Sequence, residues 1–273
     1  MATRRINSVE KGGALLKVLA EAGRPMMLRD VAQALGVAPG IAHSYLASYR
    51  EFGLVEQDDK TGFYQLGPFA LTLGLSYLRG FDPFDVIYSA LPSLYETFGE
   101  KTLLAMSVWS ENGPVIVRSF EPLRHVHANV RPGAVLPIIR TGTGQLFAAF
   151  LPFKLVEPLI LEELARSGET RKGRDEQLAA LKLSMQTIRD LGYSRSPRRI
   201  NVNTDSVSAP IFDHTGHMQA AVTMIGPAEV VESEPEGRHV RALTAFTQTH
   251  SRRLGWTGGA HEISEQAVPS RTG

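Results

Sequence analysis

A helix predicted to begin at Pro39 carries small and polar side chains on one of its faces. Proline at the first helical position and Gly53 just past the end bracket this segment. Its other face is apolar, with i, i+4 and i+7 spacing, at Ala42, Leu46 and Tyr49. The polar face presents short hydrogen-bonding side chains, which suit the major groove of DNA better than a protein core, at Gly40, His43, Ser44, Ala47 and Ser48.

The elements around this helix predict a winged helix-turn-helix. The apolar-periodic segment from Leu28 to Leu35 comes first, and two short strands at 54–57 and 63–66 follow around a turn. Lys60 lies at the tip of that hairpin, where it either contacts a phosphate or remains a solvated turn residue. We expect DNA contacts from this domain at Arg4, Arg5, Arg29, Pro39, Gly40, His43, Ser44, Ser48, Arg50 and Lys60.

Two of these candidates have a second interpretation. His43 is either a base-reading side chain or a surface histidine without a base contact. Arg50 either contacts a phosphate or pairs with Glu51 and solvent. The sequence leaves both choices open.

The composition limits how such a protein attracts DNA. The chain has 273 residues, of which 43% are hydrophobic, enough for two folded domains. The formal net charge is only +1, and residues 1–66 carry eight basic and seven acidic side chains. Affinity for DNA must therefore come from the local placement of charge and from dimerisation.

Several function classes are excluded by missing residues. The chain has no cysteine, which excludes thiolate zinc sites, disulfides and a cysteine nucleophile. Ser206 and Ser208 lack a G-x-S-x-G setting, and His125 and His127 lack a third metal ligand nearby. We expect no enzyme activity, cofactor or metal.

The sequence also favours a cytoplasmic protein that makes no contact with a membrane. No apolar run approaches the roughly 20 residues that a membrane-spanning helix needs, and Met1 is followed by polar residues rather than a signal core.

Composition and pattern divide the chain into four parts. Residues 1–67 form the predicted winged helix-turn-helix, and residues 68–82 form a linker helix. Residues 83–255 alternate between helical and strand patterns and predict an α+β domain with an antiparallel sheet. Residues 256–273 are rich in Gly, Ser and Thr and predict a disordered tail.

Several short sequence motifs occur in a characteristic order along residues 7–255. They are LLKVL at 15–19, GFYQLGP at 62–68, PGAVLP at 132–137, TGTGQ at 141–145, GY at 192–193 and SAP at 208–210. In this order they resemble the isocitrate lyase regulator (IclR) family of bacterial transcription factors. The resemblance implies a linker helix that joins the winged helix-turn-helix to a GAF/PAS-like effector-binding domain. It also implies a homodimer or homotetramer that binds double-stranded operator DNA and senses a small organic or aromatic acid.

The predicted recognition helix departs from the family pattern. The family usually has Lys or Arg, then Ser-Thr, entering this helix and His-Arg inside it, whereas this chain has Pro39-Gly40-Ile41 and His43-Ser44. A bidentate arginine contact to a base is lost there. Either His43, Ser44 and Ser48 read the bases, or shape and the Arg4-Arg5 arm carry the recognition.

The effector pocket is predicted around residues 142–144. Backbone N–H groups of Gly142, Thr143 and Gly144, before a helix predicted to begin near Gln145, would bind a carboxylate. By family position the ligand also contacts Ser206, Thr223 and Ile225. Further apolar or aromatic contacts are expected at Met106, Trp109, Phe120 and Phe147, for which ordinary core packing is the alternative.

Two other functions are consistent with the same sequence. One is a ligand-binding or interaction module with a degenerate DNA-binding domain, suggested by Pro39-Gly40 and by the near-neutral first domain. The other is a DNA-binding protein whose second domain only oligomerises. Salt-dependent DNA binding and ligand-dependent thermal stability discriminate among the three.

Overall fold

The computed structural model describes residues 6–79, 82–121, 130–196 and 204–258. Residue contacts divide the chain between Asp82 and Pro83 into two units. The first unit contains three helices, a two-stranded hairpin and a fourth helix: α1 (Asn7–Ala22), α2 (Leu28–Leu35), α3 (Pro39–Glu51), β1 (Val55–Gln57), β2 (Tyr64–Leu66) and α4 (Pro68–Arg79).

The first unit has its own apolar core, to which α1, α2, α3 and the hairpin contribute. Its buried side chains are Leu15, Leu19, Val31, Leu46, Val55 and Tyr64. Gly36 ends α2 with a φ of 64°, in the left-handed region that favours glycine, and so allows the tight turn into α3. The strands β1 and β2 pair antiparallel, with Glu56 opposite Gln65. This is the predicted winged helix-turn-helix.

The helix α4 begins where the linker helix is predicted. It exposes large apolar side chains along much of its length, at Phe69, Leu71, Leu73, Leu75 and Tyr77. The predicted linker extends to residue 82, whereas α4 ends at Arg79.

The second unit is built on a five-stranded antiparallel sheet with the order β4-β3-β7-β6-β5. Its elements in chain order are α5 (Pro83–Phe98), β3 (Leu103–Ser110), β4 (Gly113–Phe120), α6 (Gly142–Phe150), α7 (Phe153–Arg166), α8 (Arg171–Leu191), β5 (Ser194–Arg195), β6 (Thr204–Phe212), β7 (Met218–Pro227) and α9 (Arg238–Arg253). The predicted α+β class is confirmed.

Helices cover both faces of this sheet. The helix α6 packs over β6 and β7 on one face, with α8 against its outer side. The helix α5 lies over the other face, where Tyr95 contacts Phe120 with ring centroids 5.3 Å apart, and α9 packs against α5 and β6. Both faces of β6 are therefore covered, and eight of its nine residues are buried.

The predicted tail begins too early at residue 256. The ring centroids of Trp256 and Phe212 lie 5.3 Å apart, and the backbone N–H of Trp256 donates to the carbonyl of Ser251 at 2.9 Å, so this residue packs on the second unit. Residues 259–273 lie outside the described residues. Among the helices that the structure describes, none has the length and apolar character to cross a membrane.

Two buried histidines in α9 have lowered pKa values. His239 Nδ1 accepts the Glu232 N–H at 3.2 Å, and the His250 Nδ1–H donates to the carbonyl of Phe246 at 2.8 Å. Burial is the largest influence on both imidazoles and lowers the pKa of each. Arg238 lowers the pKa of His239 further, against a rise from Glu232, and Arg253 lowers that of His250, against a rise from the hydrogen bond to Phe246. Both histidines therefore favour the neutral form in the folded protein.

We expect the free energy of unfolding to fall as the pH drops below about 6.5, the pKa of a histidine in an unfolded chain. Below that pH the unfolded state binds more protons, so stability rises with pH, by at most about 1.4 kcal/mol per pH unit for each histidine. Urea unfolding between pH 7.5 and 5.5 measures this dependence. The double variant His239→Gln/His250→Gln should show a shallower dependence, and an unchanged one would contradict the assignment.

Candidate nucleic-acid interface and effector site

The predicted division of α3 into two faces is confirmed. Ala42 and Leu46 are fully buried, and Tyr49 is half-buried against the core of the first unit. The polar face is exposed at every predicted position: Gly40, His43, Ser44, Ala47 and Ser48. The face predicted to enter a DNA groove is thus available in this domain.

The two serines on this face donate hydrogen bonds to their own helix. Ser44 Oγ donates to the carbonyl of Gly40 at 3.0 Å, and Ser48 Oγ donates to the carbonyl of Ser44 at 2.9 Å. Each hydroxyl oxygen keeps its lone pairs, which point away from the donated proton. The face therefore offers acceptors, and acceptors match the amino groups that adenine and cytosine present in the major groove.

Pro39 and Gly40 do not disrupt α3. Pro39 lies in the first turn, where a missing N–H costs no helical hydrogen bond, and Ala38 is the N-cap residue. A Cβ on Gly40 would meet no atom within 4 Å, so packing does not require glycine there. The sequence feature that suggested a degenerate domain is compatible with an intact helix.

Arg50 extends from the last turn of α3 toward the wing. Its Nη1 donates to Gln57 Oε1 at 3.0 Å, and Gln57 Nε2 donates in turn to the carbonyl of Gly62 at 2.9 Å. The expected alternative of a pair with Glu51 is not what the structure shows. Gln57 was missed by the sequence reasoning, because a polar strand residue gives no signal of its partner.

The wing tip is organised by Asp58. Its Oδ1 accepts the N–H of Lys60 at 3.0 Å, the N–H of Thr61 at 2.7 Å and the hydroxyl of Thr61 at 2.9 Å. These hydrogen bonds, those from Thr61 above all, hold the pKa of Asp58 below its ordinary value. The backbone beside the exposed Lys60 is thereby fixed.

Of the remaining predicted DNA contacts, the structure describes Arg29 but not Arg4 or Arg5. Arg29 Nε lies 3.5 Å from Asp30 Oδ1, and 80% of its side chain is exposed, so this pair contributes little to stability. Arg4 and Arg5 lie outside the described residues.

In the second unit, α6 begins at Gly142 rather than near Gln145. Thr141 is the N-cap, and its Oγ1 accepts the N–H of Gly144 at 2.9 Å. The amide of Gly144 is therefore already bonded, which corrects its predicted role as a carboxylate donor. A Cβ on Gly144 would lie 2.3 Å from the carbonyl oxygen of Pro137, so this glycine allows close approach of the chain's own backbone.

Gly142 faces a group of serines from neighbouring elements. A Cβ on Gly142 would lie 3.2 Å from Ser194 Oγ, 3.3 Å from Ser196 Cβ and 3.5 Å from Ser206 Oγ. Ser194 Oγ donates to the carbonyl of Gly142 at 2.7 Å. Ser196 is 4% exposed, and its Oγ has no hydrogen-bond partner within the described part of the chain. We call Gly142, Ser194, Ser196 and Ser206 the serine cluster.

Thr143 and Thr223, each predicted to contact the effector, bond to each other through their side chains. Thr143 Oγ1 lies 2.9 Å from Thr223 Oγ1 and 3.2 Å from Ser208 Oγ, and the Thr223 hydroxyl donates to Ser208 Oγ at 2.9 Å. The three hydroxyls are buried and satisfy one another. This hydroxyl triangle joins α6 to β6 and β7, and it occupies the Thr223 side chain, which was expected to contact a ligand.

The strand register corrects two of the predicted effector contacts. Ala105 pairs with Thr223, and Met106 pairs with Val222, so Met106 points to the opposite face of the sheet from Thr223. Phe120 is paired with Leu104 and contacts Tyr95 of α5, which also places it on that opposite face. Neither side chain lies on the face that holds the serine cluster.

The other three apolar candidates lie on the face covered by α6. Trp109 and Phe147 pack ring to ring, with centroids 5.8 Å apart, inside the core beneath α6, as the alternative interpretation expected. Ile225 is paired with Ser206 and borders a smaller apolar cluster. That cluster also contains Leu103, Ala105, Ile116, Val130, Ala134 and Leu136.

Within the described ranges, no three His, Asp or Glu side chains converge in a way that would hold a metal ion. His125 and His127 lie outside those ranges.

Both units match models of known protein families. Residues 8–59 match the IclR helix-turn-helix domain, and residues 76–252 match the bacterial transcriptional regulator IclR C-terminal domain. The chain is 31% identical to the glycerol operon regulatory protein of Streptomyces coelicolor, over 92% of this chain and 98% of that protein. It is 25% identical to the transcriptional repressor IclR of Escherichia coli, over 83% and 82%. These relatives are transcriptional regulators, not enzymes.

Solved structures give the same result for the fold. The chain resembles Pseudomonas aeruginosa HmgR with a TM-score of 0.80 and 31% identity, over 93% of this chain and 100% of that one. It also resembles the Agrobacterium tumefaciens repressor BlcR with a TM-score of 0.70, over 93% and 99%, at 18% identity.

The hydroxyl triangle predicts a structural role for the Thr143 side chain. Thr143→Val keeps the volume but removes a hydroxyl that bonds Ser208 and Thr223, so we expect a loss of about 1–3 kcal/mol in the free energy of unfolding. Urea unfolding followed by circular dichroism measures it.

The matched control is Thr187→Val on α8. The Thr187 hydroxyl is exposed and donates only to the carbonyl of Leu183 in its own helix, at 3.1 Å. This change should stay within about 0.5 kcal/mol. Equal effects at the two positions would contradict the structural role of the triangle.

Proposed function

The chain belongs to the IclR family of bacterial transcriptional regulators, and we propose that it binds a two-fold operator and changes that complex when a small acid binds. We propose a dimer or tetramer as the binding form, because the net charge of +1 provides little bulk attraction and two linked recognition helices raise affinity. The observation that carries DNA recognition is the exposed polar face of α3 opposite its buried face.

We propose that the genes controlled by this operator serve catabolism. The relatives include a glycerol operon regulatory protein in Streptomyces coelicolor and an acetate operon repressor in Salmonella typhimurium, each named for an operon of carbon metabolism. These names support the class of operon.

The effector is proposed to bind at the serine cluster with its acid group toward the start of α6. Gly142 and Thr143 are the first two residues of this helix, so their amides have no partner inside it. These N–H groups and the positive end of the helix dipole favour an anion. The buried hydroxyl of Ser196, which has no hydrogen-bond partner among the described residues, provides the second reason, because a native structure seldom leaves such a group unpaired without a bound molecule.

The body of the ligand is proposed to be apolar. Ser206 is paired with Ile225 across β6 and β7, so the polar serine cluster passes directly into the apolar cluster around Leu103 and Ala105. A molecule with a carboxylate at one end and an aliphatic or aromatic group at the other matches this change in polarity.

DNA binding is tested by fluorescence anisotropy with a duplex from the protein's own upstream intergenic region. We expect specific binding that survives unrelated competitor DNA and weakens steeply and linearly in log[salt], as phosphate contacts require. Binding no tighter than that to the competitor would favour the module with a degenerate DNA-binding domain.

Ligand binding is tested by thermal unfolding with phenylacetate as an aromatic acid and propionate as a short aliphatic one. A ligand at 100 times its Kd adds about 2.7 kcal/mol, which raises Tm by several degrees. Ser196→Ala should reduce this increase while leaving the unliganded Tm equal or higher, because it removes a buried hydroxyl that no described residue bonds.

The control is Ser107→Ala, which removes another buried hydroxyl without a partner among the described residues, outside the serine cluster. It should keep the full ligand response. No increase in Tm with either acid would contradict this proposal and favour a DNA-binding protein whose second domain only oligomerises.

A further inference from the structure

We infer that Gln57 is a positioning residue for DNA binding, which aligns Arg50 of the recognition helix with the wing so that both contact the phosphate backbone. The inference rests on DNA binding by the first unit and goes beyond it by assigning a role to Gln57. The observation is the hydrogen-bonded chain from Arg50 Nη1 to Gln57 Oε1 at 3.0 Å and from Gln57 Nε2 to the carbonyl of Gly62 at 2.9 Å.

The position of Arg50 on α3 determines what it contacts. In helix-turn-helix proteins the N-terminal residues of the recognition helix reach the base edges. Arg50 lies in the last turn, eleven residues after Pro39, whereas Gly40 and His43 lie near the start of the helix. Its side chain turns toward the hairpin. Its target is therefore a backbone phosphate beside the groove and not a base.

Gln57 leaves the charge of Arg50 available. A guanidinium has five N–H donors, and one of them binds the neutral amide oxygen of Gln57. An acidic residue at this position would neutralise the guanidinium, whereas the carboxamide orients it and retains the full positive charge. The Arg50 side chain makes no other hydrogen bond or ion pair in the part of the chain that the structure describes.

The same glutamine connects this cation to the second one. Gly62 closes the turn that holds Lys60, and Asp58 fixes the backbone of Lys60 and Thr61 from the other side. Arg50 and Lys60 are thereby attached to one hydrogen-bonded frame. Fixing a flexible cation before binding reduces the side-chain entropy that DNA binding would otherwise cost.

The test measures binding of the full chain to an unrelated 30-base-pair duplex at low salt, since phosphate contacts do not depend on sequence. We expect Gln57→Ala to weaken binding about 5-fold per protomer, which corresponds to one lost hydrogen bond of roughly 1 kcal/mol. In an Arg50→Ala background the same change should have no further effect. Additive losses in this double-mutant cycle would overturn the inference.

A second variant separates positioning from folding. Gln57→Glu places a carboxylate against Arg50, so the slope of log K against log[salt] should fall by about 0.9 per Arg50 contact, as it does for Arg50→Ala. A wild-type slope in the Gln57→Glu protein would contradict the role of Arg50 as a phosphate contact that Gln57 controls.

The matched control is Gln65→Ala on the partner strand. Gln65 Nε2 donates to Glu56 Oε1 at 2.6 Å across the same hairpin and has no contact with Arg50. Binding and slope should remain at wild-type values in this variant. If the wild type binds its own upstream region no more tightly than the unrelated duplex, the operator proposal fails. The test of Gln57 remains valid in that case, because it needs only binding to the unrelated duplex.

Discussion

The close approach of α6 to the backbone of residues 137–138 determines how the second unit is arranged. Only glycine at position 144 permits it, since a Cβ there would lie 2.3 Å from the Pro137 carbonyl oxygen and 2.5 Å from Ile138 Cα. The Glu163 carboxylate holds the same loop from α7 by accepting the N–H groups of Ile138, at 2.7 Å, and Ile139. With the loop and the helix start fixed, Thr143 reaches the strands and forms the hydroxyl triangle, and Gly142 comes to face Ser194, Ser196 and Ser206. The serine cluster is thus a consequence of one backbone contact that leaves no room for a side chain.

Periodicity predicts a helix face more completely than it predicts a sheet face. In α3, the spacing of Ala42 and Leu46 was enough to identify the buried side, because a helix packed on one core has one inside and one outside. In the sheet, both faces of β3 and β6 are buried, so alternation separates Ala105 from Met106 without telling which of them faces α6. Met106 was assigned to the wrong face for that reason. The order of elements and the α+β class were predictable, since each depends on local pattern alone.

The candidate effector site was predictable only in part. The glycines and threonine of the TGTGQ segment at 141–145 locate the helix start from sequence, although α6 begins three residues earlier than predicted because Thr141 is its cap. Ser194 and Ser196 gave no usable signal, since β5 has only two residues and its register against Ser208 is a long-range contact. The Thr223 hydroxyl, expected to contact a ligand, instead bonds to Ser208 and to the Thr143 hydroxyl, because side-chain partners 80 residues apart cannot be predicted from spacing.

A near-neutral DNA-binding domain places its few cations under tighter geometric control than a strongly basic one needs. At physiological salt, charges more than about 8 Å from a phosphate are largely screened, so with a net charge of +1 the distant field contributes little. Affinity then depends on cations that already lie at contact distance when the recognition face enters the groove. Arg50 and Lys60 are connected through Gln57 and Asp58 to the backbone of one short hairpin, whose strands are only three residues long. Such a domain loses affinity sharply when the fit is imperfect, because few other charges compensate. In the proposed mechanism, where a small acid releases the protein from DNA, this dependence on fit is an advantage, since a modest change in the spacing of the two recognition helices would be enough to break the contacts.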